Sequence, residues 1–169
     1  MAIAHGAVGI MVAGITASTA FRTESIQLMR PGEDITVAGY NLRFDGATAI
    51  RGPNYTAARG LFTVRKNGEI VTILTPEKRQ YPAEGSNTTE AGIRTTIVGD
   101  LYAVLGERAS NGAWSTRIYF NPLVAWIWAG AILMAVGGMV SLTDRRYRIG
   151  APKPAQSRPV KPAPGTAEA

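Results

Sequence analysis

The sequence has 169 residues, with 18 Lys and Arg against 12 Asp and Glu, a formal net charge of +6, no cysteine and a single histidine. The absence of cysteine excludes disulfide scaffolds, zinc ribbons, CxxC redox motifs, iron–sulfur clusters and thioether-linked cofactors on this chain. One histidine excludes any site that takes two imidazole ligands from this chain alone.

The charges are confined to the middle and the end of the chain. Residues 1–21 and 118–143 contain no Lys, Arg, Asp or Glu. Residues 22–117 carry 12 basic and 10 acidic side chains, a net of +2, and residues 144–169 carry 6 basic and 2 acidic, a net of +4, which together give +6. The positive excess is therefore concentrated in the last 26 residues.

The first uncharged segment predicts a transmembrane helix over residues 1–21. As a helix, Ala2 to Phe21 would measure about 30 Å at about 1.5 Å per residue, close to the roughly 30 Å thickness of the bilayer hydrocarbon. A cleaved secretory signal is the alternative, because Ser18-Thr19-Ala20 supplies small residues before a cleavage site. No Lys or Arg precedes the apolar run, which disfavours that alternative. Cleavage would leave a single-pass protein without His5.

The middle segment, residues 22–117, predicts a small antiparallel β barrel or sandwich. Apolar and polar residues alternate in several short runs, and turn signals separate these runs. Asn67-Gly68 between two of them is a hairpin signal. About six short strands without an intervening helical pattern are typical of a barrel or sandwich, and Asp100 to Leu105 allows a short helical turn. The predicted strands are 40–44, 61–65, 70–74, 94–98 and 114–120.

The second uncharged segment predicts another transmembrane helix over residues 118–143. Asn121-Pro122 marks its expected start, because proline is tolerated in the first turn of a helix. Trp126 and Trp128 lie near one end, where indole rings prefer the headgroup level.

The tail, residues 144–169, predicts the orientation. Three arginines between Asp144 and Arg148 stop the second helix. By the positive-inside rule this end lies in the cytoplasm, so both termini are expected there and the β domain in the periplasm of a bacterium. Within it, residues 151–169 hold five of the ten prolines and are expected to be disordered.

Catalytic signatures are missing from the sequence. It contains no glycine-rich phosphate loop, no GxSxG elbow and no HExxH motif, and a Ser–His–acid triad would need the one histidine, which lies in the first predicted helix. The acidic residues are scattered singly and are interpreted as a solvated surface. The basic tail has no aromatic stacking residues beyond Tyr147, so no nucleic-acid partner is expected.

His5 is the one residue for which a cofactor role arises, because ionisable groups in apolar helices usually face protein or a cofactor. At helical spacing His5, Gly9, Ala13 and Ala17 share one side, which forms a smooth groove. Such a groove has two uses. It lets a neighbouring helix approach closely, or it leaves space for a flat macrocycle whose iron the imidazole ligates. Both stay open on the residues alone.

Several motifs in a fixed order resemble a known family. They are Ala-His-Gly at 4–6, MRPGE at 29–33, GPNY at 52–55, PEKRQY at 76–81, GDLY at 99–102, WIWAG at 126–130 and DRRYR at 144–148. This order is similar to the C-terminal part of CcmF, a bacterial inner-membrane family of cytochrome c maturation. The similarity covers nearly the whole chain up to Arg148.

The resemblance implies a role in a haem lyase, which takes haem from the chaperone CcmE and joins it, with CcmH and CcmI-type subunits, to apocytochrome c. It also implies a b-type haem held by two transmembrane histidines. His5 stands where one of these lies, so the resemblance makes His5 an axial ligand of the haem iron, with no catalytic residue assigned. Gly6 departs from the family, which places a larger apolar residue after this histidine.

The remaining haem-handling segments of the family lie upstream of the matched region. The resemblance therefore implies a chain that is incomplete as a haem lyase and works beside an N-terminal CcmF portion. The alternative function is a non-enzymatic, membrane-anchored β module that assembles envelope complexes without a cofactor.

Overall fold

The computed structural model describes residues 2–143, in which two helices flank a β domain. The expected disorder of the tail falls on residues 151–169, which lie outside the described residues. In chain order the elements are α1 (Ala2–Ala20), β1 (Thr23–Met29), β2 (Asp34–Val37), β3 (Tyr40–Arg51), β4 (Thr56–Lys66), β5 (Glu69–Leu74), β6 (Glu77–Tyr81), β7 (Ser86–Glu90), β8 (Gly92–Thr96), β9 (Gly99–Arg108), β10 (Trp114–Pro122) and α2 (Val124–Thr143).

The strands form two antiparallel sheets, which confirms the predicted fold class. One sheet has the order β1-β10-β9-β8, and the other has the order β2-β3-β4-β6-β7, with β5 paired to β4. Alternate residues of the strands point between the sheets, where they form one apolar core. Its fully buried large side chains are Phe44, Phe62, Met29, Leu42, Leu101, Leu105, Ile118 and Val64.

The hairpin predicted at Asn67-Gly68 is confirmed. The two residues join β4 to β5 and have φ angles of 52° and 86°, both in the left-handed region. Asn and Gly tolerate this region, which a two-residue hairpin turn requires.

The short helical turn allowed between Asp100 and Leu105 is wrong. These residues belong to β9, in which Leu101, Ala103 and Leu105 are buried on one side. Alternation with a period of two explains the strand, and the pairing of β9 with β10 and β8 satisfies its backbone.

The prediction of about six strands is also too low for the described residues, which contain ten. The additional strands include polar edge segments such as β7, whose residues are mostly exposed. An edge strand needs little apolar alternation, because much of its stability comes from its neighbour. Ile97 and Val98, predicted within a strand, form the turn between β8 and β9.

Both helices have the length and hydropathy of membrane spans. The apolar windows are Ile3–Ala20 and Val124–Thr143, with mean hydropathies of 1.5 and 1.8. The last strand continues to Pro122, Leu123 turns the chain with a φ of 56°, and α2 begins at the next residue. The two helices therefore leave the same end of the sandwich, because β1 and β10 pair from Thr23 and Phe120 onward.

Candidate functional site

The two helices pack along a seam of small residues. On α1 the residues that turn towards α2 include Ala7 and Gly14, which are buried. On α2 the buried residues are Gly130 and Gly137. Apolar helices in a membrane gain little from burying large side chains against each other, so small residues that let the backbones touch are favoured at such seams.

The seam glycines are in backbone contact with the opposite helix. A Cβ atom on Gly130 would lie 2.8 Å from the backbone nitrogen of Met11 and 2.9 Å from the carbonyl oxygen of Ala7. A Cβ atom on Gly137 would lie 3.0 Å from the backbone nitrogen of Ala4. A larger residue at either position would have to push the helices apart.

The groove that contains His5 lies on a different side of α1. His5, Gly9 and Ala13 are exposed and Ala17 is half-buried, so α2 leaves most of this side open. A Cβ atom on Gly9 would meet no atom within 4 Å. The close contact with α2 is therefore made by the side of α1 that contains Ala7 and Gly14. The side that contains His5 and Gly9 remains mostly exposed in the described part of the chain.

His5 borders a shallow apolar hollow at the membrane-exposed surface of the helix pair. The hollow has a volume of about 120 Å³ and is lined by Ala4, His5, Val8 and Met134. This volume is far too small for a porphyrin. The residues fit a haem only as one wall of a pocket, in which His5 offers a nitrogen ligand and the small residues below it leave room for the macrocycle.

Gly137 is buried against α1. The sequence thus contained two stripes of small residues on α1. One of them is used for packing inside the chain, and the other carries the histidine.

The β domain contains a charged cluster that the sequence analysis missed. Glu77 is only 6% exposed and accepts hydrogen bonds from Nε of Arg59 at 2.7 Å and Nε of Arg79 at 2.8 Å. The interpretation of the acidic residues as a solvated surface is wrong for Glu77, and also for Asp100, which is buried. The sequence offered no local signal for the burial of Glu77, because Arg59 lies 18 residues before it along the chain.

The contacts around Glu77 shift the pKa values of Glu77 and Arg79. The hydrogen bond from Arg79, together with the bond and charge of Arg59, holds the pKa of Glu77 below its usual value despite burial. The same contact to Glu77 raises the pKa of Arg79. The Arg79 guanidinium also lies 4.6 Å from the ring centre of Tyr55, which lies 5.5 Å from the ring of Tyr81.

A basic cleft opens beside this cluster. It has a volume of about 370 Å³. Lys78, Arg79 and Arg108 line it, together with Trp114 and Glu107. Lys78 is paired with Glu107 at 3.0 Å and Arg79 with Glu77 at 2.8 Å, so the cleft presents mixed charge beside an indole. Aromatic and arginine side chains are common in protein–protein interfaces. The described residues contain no group of three or more His, Cys, Asp or Glu side chains placed to hold a metal ion.

Comparison with known proteins identifies the β domain. A family model described as "CcmF C-terminal beta-sandwich" matches residues 20–122. The chain is 48% identical over 151 residues to the cytochrome c-type biogenesis protein CycK of Rhizobium meliloti, covering 89% of this chain and 22% of that protein. It is 41% identical over 149 residues to the cytochrome c-type biogenesis protein CcmF of Pseudomonas aeruginosa, covering 88% of this chain and 23% of that protein.

A solved structure has the same fold. The chain matches the structure titled "Cytochrome c Heme Lyase CcmF" with a TM-score of 0.66 and 26% identity, covering 83% of this chain and 24% of that one. The chain thus spans less than a quarter of the length of each of these relatives.

Proposed function

Because this chain belongs to the CcmF family, whose C-terminal β-sandwich it contains, we propose that it serves cytochrome c biogenesis as the C-terminal part of a haem lyase. In that haem lyase, this chain would provide one haem ligand on a membrane helix and a scaffold domain in the periplasm. The observation that carries the proposal is the position of His5 on an exposed side of α1, beside a hollow of the helix pair.

The proposed ligand is the imidazole of His5. A neutral imidazole is an established axial ligand of haem iron. Gly9 and Ala13, below His5 on the same side of α1, have no side chain large enough to block a flat ring. A b-type haem held there would supply electron transfer.

The pocket needs further walls. The sequence has no second histidine, and the helix pair offers only a shallow hollow beside His5. We therefore expect the N-terminal CcmF portion to provide the second axial ligand and the helices that enclose the macrocycle. The short coverage of the relatives is consistent with this division.

The β domain is proposed as the scaffold for the soluble partners. These are the CcmH and CcmI-type subunits, the haem chaperone CcmE and apocytochrome c. The basic cleft at Lys78 and Arg108 offers them a charged surface. Attachment of haem to the apocytochrome would be carried out by the whole assembly and not by this chain.

The proposed orientation places the β domain in the periplasm and both termini in the cytoplasm of a bacterial inner membrane. It follows from Arg145, Arg146 and Arg148 in the sequence and from the two candidate spans, Ile3–Ala20 and Val124–Thr143. The second span is shorter than the predicted 118–143, because β10 continues to Pro122. A periplasmic reporter fused after Gly85 should be active and one fused after Ala169 should be inactive. The reverse pattern would contradict the orientation.

The haem proposal is tested by co-expression with the N-terminal CcmF portion. The reduced b-haem absorbance of the purified complex is compared for the wild type, His5→Ala and Ile3→Ala. Ile3 is an exposed residue at the same end of α1 and does not line the hollow beside His5. We expect loss of the signal for His5→Ala and retention for Ile3→Ala. An unchanged signal in His5→Ala would favour the alternative of a cofactor-free assembly module.

A further inference from the structure

The turn between β8 and β9 differs in composition from the other hairpin turns of the sandwich. We propose that its tip, Ile97-Val98, inserts into the lipid bilayer next to α2 and anchors the sandwich to the membrane surface. This inference requires the two helices to lie in a bilayer and does not depend on haem binding.

The first argument is the exposure of two branched apolar side chains in a turn. Ile97 is 76% exposed and Val98 is 55% exposed. Turns between strands are usually formed by Gly, Asn, Asp, Ser or Pro. The other hairpin turns of the described residues follow this rule or use alanine. They contain Ala38-Gly39, Pro53-Asn54, Asn67-Gly68, Ala83-Glu84-Gly85 and Ser110-Asn111-Gly112.

The second argument is that the tip is fixed to the beginning of α2. The indole nitrogen of Trp126 donates a hydrogen bond to the carbonyl oxygen of Ile97 at 3.0 Å. The backbone nitrogen of Leu123 donates to the carbonyl oxygen of Val98 at 3.1 Å. The tip therefore lies at the level of the first turn of a predicted membrane span, where tryptophan prefers the membrane interface.

The third argument concerns depth. An apolar groove of about 270 Å³ runs along the helix pair beside Ile97. Ala129 and Leu133, which also line it, lie about one and two helical turns further along α2 than Trp126. Because Ile97 lines the same groove as Leu133, it lies beside the apolar surface of the helix pair that a bilayer would surround.

The fourth argument distinguishes lipid from water as the surroundings of the tip. In hydrocarbon every backbone polar group that lacks a partner is costly. The carbonyl group of Ile97 accepts a hydrogen bond from Trp126 in the first turn of α2, and that of Val98 accepts one from Leu123, the residue before α2. The flanking Thr96 hydroxyl donates to the carbonyl oxygen of Gly99 at 2.6 Å. The tip thus presents apolar side chains while its carbonyls are already paired.

The test uses the absence of cysteine from the sequence. Single variants Ile97→Cys and Val98→Cys of the full chain are labelled with a nitroxide and reconstituted in phosphatidylcholine vesicles. The collision rates of the label with oxygen, which concentrates in lipid, and with a water-soluble nickel chelate are measured. Ile132→Cys, at an exposed site within α2, is the lipid reference. Ala83→Cys, in the exposed turn between β6 and β7, is the aqueous reference.

The oxygen-to-nickel ratio should be several-fold higher at Ile97 than at Ala83 and close to that at Ile132. A ratio at both Ile97 and Val98 equal to that at Ala83 would overturn the inference. Protection of both sites from both reagents would also overturn it, because it would mean that protein covers the tip. An aqueous ratio at Ile132 would contradict the membrane position of the helices and the inference together.

Discussion

The helix pair and the β-sandwich bury opposite kinds of residues. In the sandwich the largest side chains are the most hidden, and Phe44 and Phe62 are both 0% exposed. In the helix pair the buried residues of α2 are glycines, while Trp128 is 69% exposed. The sandwich is thus organised for water, and the helix pair is organised for a surrounding that is itself apolar.

This difference bears on where chemistry can be placed. The polar groups of the sandwich are used in ion pairs and hydrogen bonds that hold strands together, such as those of Glu77. On the helix pair the surface is apolar, and an ionisable residue in such a setting usually has a function. This contrast is consistent with the functional role proposed for His5.

The largest expected effect comes from breaking the sandwich at its core. Phe62→Ala removes a fully buried ring that lies 4.9 Å from the ring of Phe44. We expect the free energy of unfolding of the β domain to fall by about 3–5 kcal/mol. The measurement is denaturant unfolding of the full chain in detergent, followed by near-ultraviolet circular dichroism. Ile70→Ala, at an exposed site on β5, is the control. A loss equal to that of this control would contradict the core assignment.

A larger residue at a seam glycine should destabilise the packing of α1 against α2. Gly130→Val introduces a Cβ atom 2.8 Å from the backbone of Met11, and such overpacking costs about 1–3 kcal/mol. Gly138→Val is the matched control, because a Cβ atom there meets nothing within 4 Å. Thermal unfolding of the helical ellipticity in detergent should show a lower midpoint for Gly130→Val. Equal midpoints would show that the seam is not in close contact.

A smaller loss of stability is expected when the charge of Glu77 is removed from the sandwich. Glu77→Gln keeps the shape of the side chain but weakens its bonds to Arg59 and Arg79, at a cost of about 2 kcal/mol at neutral pH. Because folding lowers the pKa of Glu77 from 4.5, its carboxylate contributes stability above that pH. This contribution is lost as the pH falls through the lowered value.

The stability of the wild type and of Glu77→Gln should therefore converge in acid. The measurement is the unfolding free energy as a function of pH for both proteins. Glu69→Gln, at an exposed position on β5, should follow the wild type throughout. A constant difference between the wild type and Glu77→Gln down to strongly acidic pH would contradict the account of this cluster.

Much of the fold was predictable because its signals are local. Long segments without charge indicate membrane helices, and alternation between Asn67-Gly68 and similar turns indicates β strands. The register between elements was not predictable. Arg59 lies 18 residues before Glu77, and only the pairing of β4 with β6 brings them together. Burial of this carboxylate therefore has no local signature.

The candidate site was predictable only in part: the sequence identifies its histidine but not which side of α1 packs against α2. The sequence contains one histidine, so the choice of His5 needed no structure. Two stripes of small residues on α1 could each have met α2. The contacts of Gly130 with Ala7 and of Gly137 with Ala4 show which stripe packs against α2. The other stripe, which contains His5, is mostly exposed.

The central claim, that His5 holds haem iron, is tested most directly by exchanging the ligand for a free one. His5→Gly is co-expressed with the N-terminal CcmF portion, and the reduced haem spectrum of the membranes is recorded with and without added imidazole. The account predicts that the b-haem signal is lost in the variant and restored by imidazole, because only the ligand is missing from the pocket. A b-haem signal that persists in His5→Gly without imidazole would contradict it.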